Sequence, residues 1–190
     1  MKSGHWYEIS GQFKETLSGR NGNLLGLLDI EVQTSLITTF AQYYDPPVKA
    51  FTFQDFQLVP TLEEFEQILD LPLEGKYPYK YVKHHASTST LSGIMKIHLR
   101  ELESALVNKK GVRGFTLKFL ESYLHQLADQ ENRETFMDVL ALTLYIVMLF
   151  PNVEDFVNYA AIDVFIASKT RSENPVPAIL AYVYSFSFVL

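Results

Sequence analysis

The sequence contains no cysteine, which excludes disulfides, thiolate catalysis, iron–sulfur clusters and cysteine-ligated zinc, and gives no support for an oxidising compartment. Histidine is sparse and scattered: His5, His84, His85, His98 and His125 form no Asp-x-His or His-x-x-x-His pattern. The adjacent rings of His84 and His85 cannot readily face one ion, so no metal is expected. The glycines build neither G-x-G-x-x-G nor G-x-S-x-G nor a phosphate-binding loop closed by Gly-Lys-Ser or Gly-Lys-Thr. No lysine, pyridinium-binding carboxylate and phosphate cup suited to pyridoxal phosphate can be identified, and no cofactor is expected. The central uncharged stretch, Val139 to Phe150, is 12 residues long, against about 20 needed to span a bilayer. The N-terminal MKSGHWYEISGQFKETL carries charges throughout and no apolar h-region. Neither membrane insertion nor secretion is expected, which leaves the cytoplasm or nucleus.

What is present is a large apolar inventory. With 190 residues, 47% of them hydrophobic, the chain suffices for one domain, 1–190, with a sizeable core. Fourteen Phe and 11 Tyr against one Trp favour a packed interior or an adhesive surface over disorder. A formal charge of −6 opposes nonspecific attraction to phosphate backbones. The chain centres on Glu131 to Phe150, whose helix would be hydrophobic on every face and so needs covering all round. The expected fold class is mainly α: a single helical domain around this buried central helix, with one small β-hairpin.

The remaining elements follow from period and punctuation. Residues 3–18 place Trp6, Ile9, Phe13 and Leu17 at helical spacing. The glycine- and asparagine-rich stretch 18–26 reads as a flexible joint. Leu36, Ile37, Phe40, Ala41 and Tyr44 mark a helix over 30–43, stopped by Pro46 and Pro47. The period then shortens: Phe51 and Phe53, then Phe56, Leu58 and Val59, predict the hairpin. Thr61 and Glu64 match a capping box ahead of the stripe Leu62, Phe65, Ile68 and Leu69. An amphipathic helix is predicted from Leu91 to Leu106 with His98 on its apolar face, stopped by Lys109, Lys110 and Gly111. Thr116 caps the next helix. After Pro151, Asn152 with Glu154 and Asp155 predicts a helix start, with Phe156, Val157, Ala160, Ala161, Val164 and Phe165 as its core stripe. The last segment, 178–190, is apolar; it either closes the core or leaves an exposed edge.

The one stretch with binding character lies in the predicted surface loop 74–93. Lys76, Tyr77, Tyr79, Lys80, Tyr81 and Lys83 combine cations that neutralise phosphates with rings that stack on unpaired bases. The same composition suits docking of a protein partner through the tyrosines, or an ordinary solvated loop. Glu63, Glu64 and Glu66 sit close enough to suggest paired carboxylates, but two of them fit helix-start electrostatics and the third a solvated face. No catalytic constellation emerges.

Two blocks resemble a known family. The first, YYDPPVKAFTFQDFQLVPTLEEFEQILDLPLEGK (Tyr43 to Lys76), combines an F-x-F hairpin, a T-L-x-acidic helix start and I-L-x-L-P-L-x-G, and resembles the plant mobile domain. The second, VLALTLYIVMLFPNVEDFVNYAAIDVFIASKTRSENPVPAILAYVYS (Val139 to Ser185), is similar to the matching block of related uncharacterised plant domains, common in legumes, that often carry aminotransferase-like or phosphatase long-form labels. The resemblance implies a non-catalytic interaction or scaffold module linked to transposable elements and to host proteins derived from them, with roles in meristem maintenance and transposon silencing. It supplies no catalytic residues and does not support the enzyme labels. It also implies a C-terminally truncated copy, because the family pattern L-A-D-x-Y-Y-S-L-H is departed from after Leu180-Ala181. The expected partner is a protein or a second copy of the chain; a nucleic acid held by the Lys76–Lys83 loop is the alternative, and a cryptic hydrolase or transferase stands third.

Overall fold

In the computed structural model the described residues are 17–19, 21–31, 33–80, 87–109, 111–130, 132–150 and 155–185. Among them run nine α-helices and six short strands: α1 (Leu24–Leu28), α2 (Thr34–Ala41), β1 (Tyr44–Asp45), β2 (Ala50–Thr52), β3 (Gln57–Leu58), α3 (Leu62–Leu69), α4 (Thr88–Met95), α5 (Leu99–Ala105), β4 (Val107–Lys109), β5 (Val112–Phe115), α6 (Leu117–Asp129), α7 (Arg133–Leu149), β6 (Val157–Asn158), α8 (Tyr159–Arg171) and α9 (Val176–Ser185).

Side-chain caps explain where several helices begin. The Thr61 hydroxyl accepts from the Glu64 N–H at 3.2 Å while Glu64 accepts from the Thr61 N–H at 3.0 Å, so α3 opens on the predicted capping box. Thr116 accepts from the Phe119 N–H at 3.1 Å to open α6, and Ser87 from the Thr90 N–H at 3.2 Å to open α4. Helix α7 packs against α1, α4, α6 and α8, burying Val139, Leu142, Tyr145, Ile146 and Leu149. Its cover is incomplete, however, because Val147 remains 45% exposed.

The expected fold class is corrected: the architecture is mixed, with two three-stranded antiparallel sheets rather than one hairpin in a helical domain. In the first sheet β2 lies between β1 and β3, pairing Phe51 with both Tyr44 and Leu58. In the second, β5 lies between β4 and β6, pairing Gly114 with both Val107 and Asn158. The local signals misled for physical reasons. Lys109 and Gly111, read as a helix stop, flank a hairpin turn in which Gly111 takes φ +83°, a conformation that glycine adopts without a Cβ penalty. Strand β6 completes the sheet from a distant part of the chain, so no local period announces it.

The helix expected over 91–106 breaks at Lys96, which takes φ +54°. Ile97 thereby enters the core, and His98 becomes the exposed residue ahead of α5 rather than part of an apolar face. The predicted start at Asn152 gives way to α8, whose Asn158 side chain accepts from the Ala160 N–H at 2.8 Å; Val157, assigned to the helical stripe, belongs to β6. Asp155 does serve a helix N-terminus, but that of α6, accepting from the Lys118 N–H at 3.1 Å. Asn152, Glu154 and residues 3–16 of the helix expected over 3–18 lie outside the described residues, while Leu17 and Ser18 are helical. Within 18–26, the Asn23 N–H donates to the Leu69 carbonyl at 2.7 Å, fixing α1 against the end of α3. Among the described residues no helix is long and apolar enough to cross a membrane.

Candidate functional site

The structure separates the expected tyrosine–lysine patch into unlike parts. Lys76 and Lys80 are exposed and Tyr77 is 84% exposed, whereas Tyr79 is half-buried; Tyr81 and Lys83 lie outside the described residues. Residues 77–80 run alongside the segment between α8 and α9. The Tyr79 N–H donates to the Asn174 carbonyl at 2.9 Å, and the Asn174 N–H donates to the Tyr77 carbonyl at 2.7 Å. The Lys80 N–H reaches Glu173 Oε2 at 3.2 Å. The Tyr79 hydroxyl turns inward and donates to Asp163 Oδ2 at 2.8 Å, and Asp163 is itself buried.

The electrostatics follow from these contacts. Burial pushes the Tyr79 hydroxyl pKa up, and its bond to the Asp163 carboxylate adds to the rise. The bond from Arg171 lowers Glu173 below the ordinary carboxylate value, with a further contribution from the Lys80 N–H. Arg171 Nε donates to Glu173 Oε1 at 2.8 Å. The Tyr79 hydroxyl is therefore anchored inward while its ring stays half-buried, and the backbone of Lys80 is held beside a carboxylate.

A second surface was hidden inside predicted core stripes. Helix α2 buries none of its residues; Leu36 and Ile37, part of the apolar spacing that marked the helix, are 52% and 55% exposed. Beside it, Tyr43, Phe53 and Phe56 stack in a row, with centroid separations of 4.7 and 4.8 Å. Phe40 joins helix to sheet through edge contacts of 5.8 Å with Phe51 and 6.0 Å with Phe53. The surface continues into an open groove of about 480 Å³ whose lining includes Phe40, Phe51, Leu58, Val59, Phe65 and Ile68. Leu58, Val59 and Ile68 are exposed there. The sequence did hold a signal: from Gln33 to Tyr44 it has no charged residue at all, an unusual composition for a solvated helix.

The glutamates near this groove have structural partners. Glu64 completes the capping box, and Glu66, expected on a solvated face, accepts from the Leu73 N–H at 2.9 Å. A separate cavity of about 530 Å³ between α8 and α9 is lined by Tyr79, Ala160, Ala161, Val164, Ala178 and Tyr182, among others. Among the described residues no group of three or more His, Asp or Glu could hold a metal ion.

A family model described as "Domain of unknown function (DUF7745)" matches residues 7–189. No curated protein and no solved structure matches the chain.

Proposed function

Since the chain belongs to the family described as a domain of unknown function (DUF7745), we propose its role from its surface: it is a non-catalytic interaction module, and the apolar face formed by α2, the first sheet and α3 is where it meets other proteins. The carrying observation is that face itself. A contiguous exposed apolar surface of this kind marks an interaction site rather than a stable solvent boundary, and aromatic residues are favoured anchors of such sites.

Burial raises the pKa of Tyr79, Tyr123, Tyr145, Tyr159 and Tyr182, as expected for rings packed into or against the core. The nucleic-acid alternative is less favoured, because the Tyr79 hydroxyl is anchored inward on Asp163. The resemblance of Tyr43–Lys76 to the plant mobile domain, and of Val139–Ser185 to related uncharacterised plant domains, supports a setting in a transposon-associated plant protein acting in the nucleus or cytoplasm.

The test is co-purification from cells of proteins with the tagged chain and with an Ile37→Asp/Phe56→Asp variant. Both positions are exposed, so the variant is expected to melt like the parent while losing its partners. An unchanged partner set would overturn the reading.

A further inference from the structure

We propose that the apolar face between Leu28 and Ile68 binds a basic amphipathic helix of a partner protein, an inference that rests on the interaction reading and adds the chemistry of the partner. The argument is charge complementarity around an apolar centre. From Leu28 to Asp70 the sequence carries Asp29, Glu31, Asp45, Asp55, Glu63, Glu64, Glu66 and Asp70, opposed by Lys49 alone. These eight acids and one base give this span a charge of −7, while the whole chain carries −6; the remainder is thus nearly balanced, and the acidity belongs to the span that bears the exposed apolar residues. The single base is engaged within the fold, since Lys49 Nζ donates to the Tyr184 carbonyl on α9.

Three of the acids lie on or between the elements that carry the apolar face. Asp55 lies in the turn between the stacked rings of Phe53 and Phe56. Glu63 is exposed on α3, the helix that brings Phe65 and Ile68 to the groove. Asp45 closes β1 beside Ala50 of β2. The floor of the groove is aromatic and aliphatic, with Glu64 as its charged lining residue and Gln67 and Pro60 beside it.

An apolar groove of this form accepts side chains from one stripe of a helix. Lysines or arginines flanking that stripe would meet the acids, which favours encounter and register. The same arrangement disfavours other occupants: a second copy would bring an equally acidic span against this one, and a nucleic acid would bring phosphates.

The experiment uses two labelled synthetic helices of roughly five turns, one of Leu and Lys and one with the same apolar stripe of Leu and Glu. Each is titrated by anisotropy against the full chain, an Asp55→Asn/Glu63→Gln variant and a Leu58→Gln/Ile68→Gln variant. All four positions are exposed, and thermal melts verify that the variants fold. The Leu–Lys helix is expected to bind at least about tenfold more tightly than the Leu–Glu helix, and less tightly as salt rises toward about 0.5 M. Neutralising Asp55 and Glu63 is expected to weaken it roughly twofold to fivefold per acid, the scale of exposed ion pairs, and the Leu58/Ile68 variant is expected to abolish it. Equal binding of both helices, no binding of either, or affinity unchanged in both variants overturns the proposal, as does sedimentation showing that the face is occupied by a second copy. If Ile37→Asp/Phe56→Asp sheds cellular partners but the two helices bind alike, the interaction reading survives and the basic-helix assignment falls.

Discussion

Asn174 ties its own stretch of chain to segments far from it in the sequence. It is fully buried, and its amide Nδ2 donates to the Leu71 carbonyl at 3.2 Å and to the Pro72 carbonyl at 2.9 Å, while its Oδ1 accepts from the Val176 N–H at 2.9 Å. Its backbone holds residues 77 and 79 at the same time. One residue, through side chain and backbone together, therefore joins the end of α3, the tyrosine–lysine segment and the start of α9. Replacement by Ala would leave three polar groups short of partners, each costing about 1–3 kcal/mol when buried, so Asn174→Ala is expected to destabilise by about 2–4 kcal/mol because shared losses do not add fully. Urea denaturation measures this, and a loss below about 1 kcal/mol would show that water reaches these groups. Nothing in the sequence around Ser-Glu-Asn-Pro distinguishes this asparagine from an ordinary turn residue. The caps at Thr61 and Thr116, by contrast, were legible because their partners lie three residues away. The inward bond of Tyr79 was not legible for the opposite reason: its partner Asp163 is 84 residues distant.

At the scale of elements, the same division between local and distant causes decides what could be read. The central helix was legible from an uncharged apolar run, and β2 and β3 from alternation around Phe51 and Phe53, whereas Tyr44, counted in the preceding helical stripe, belongs to β1. The second sheet was not: the residues between β4 and β5 were read as a helix stop, and β5 acquires its second neighbour only when β6 arrives from beyond α7. Gly114 marks the contact: a Cβ there would meet the Val157 carbonyl oxygen at 2.0 Å and the Phe156 ring at 2.7 Å. Glycine is required at this position by the close approach of backbone, not by an unusual φ. Gly114→Ala is expected to push β6 from the sheet and to cost roughly 1–3 kcal/mol as overpacking. Hydrogen exchange should localise the loss to the second sheet, with faster exchange of the Phe115 and Asn158 amides. Unchanged stability and exchange would mean that β6 does not pack there. The exposed face of α2 was misread at this scale too, because periodicity identifies an apolar stripe but not whether the same chain covers it.

For the whole molecule, the question left by the sequence was whether the last apolar segment closes the core or forms an edge. Residues 176–185 close it: α9 packs on α3, with Val176 and Ile179 fully buried and the Tyr182 ring 5.0 Å from that of Phe150. The Tyr184 hydroxyl donates to the Pro60 carbonyl at 2.7 Å, which ties this last helix to the entrance of α3 and so to the margin of the apolar groove. The acidic, apolar face therefore depends on a helix contributed by the opposite end of the chain. Truncating either Val176 or Ile179 at the core would cost on the order of 1–5 kcal/mol, and a domain of this size has about 5–15 kcal/mol in total. Deleting everything after Asn174 removes both anchors, the Tyr184 bond and the cover over α3, so it is expected to abolish cooperative unfolding rather than merely lower Tm. Calorimetry and light scattering on the shortened chain check this together: loss of the transition with aggregation is the expected result. A monomer that still melts cooperatively near the temperature of the full chain would show that the core closes without α9, and would detach the groove from the helix that the structure places beside it.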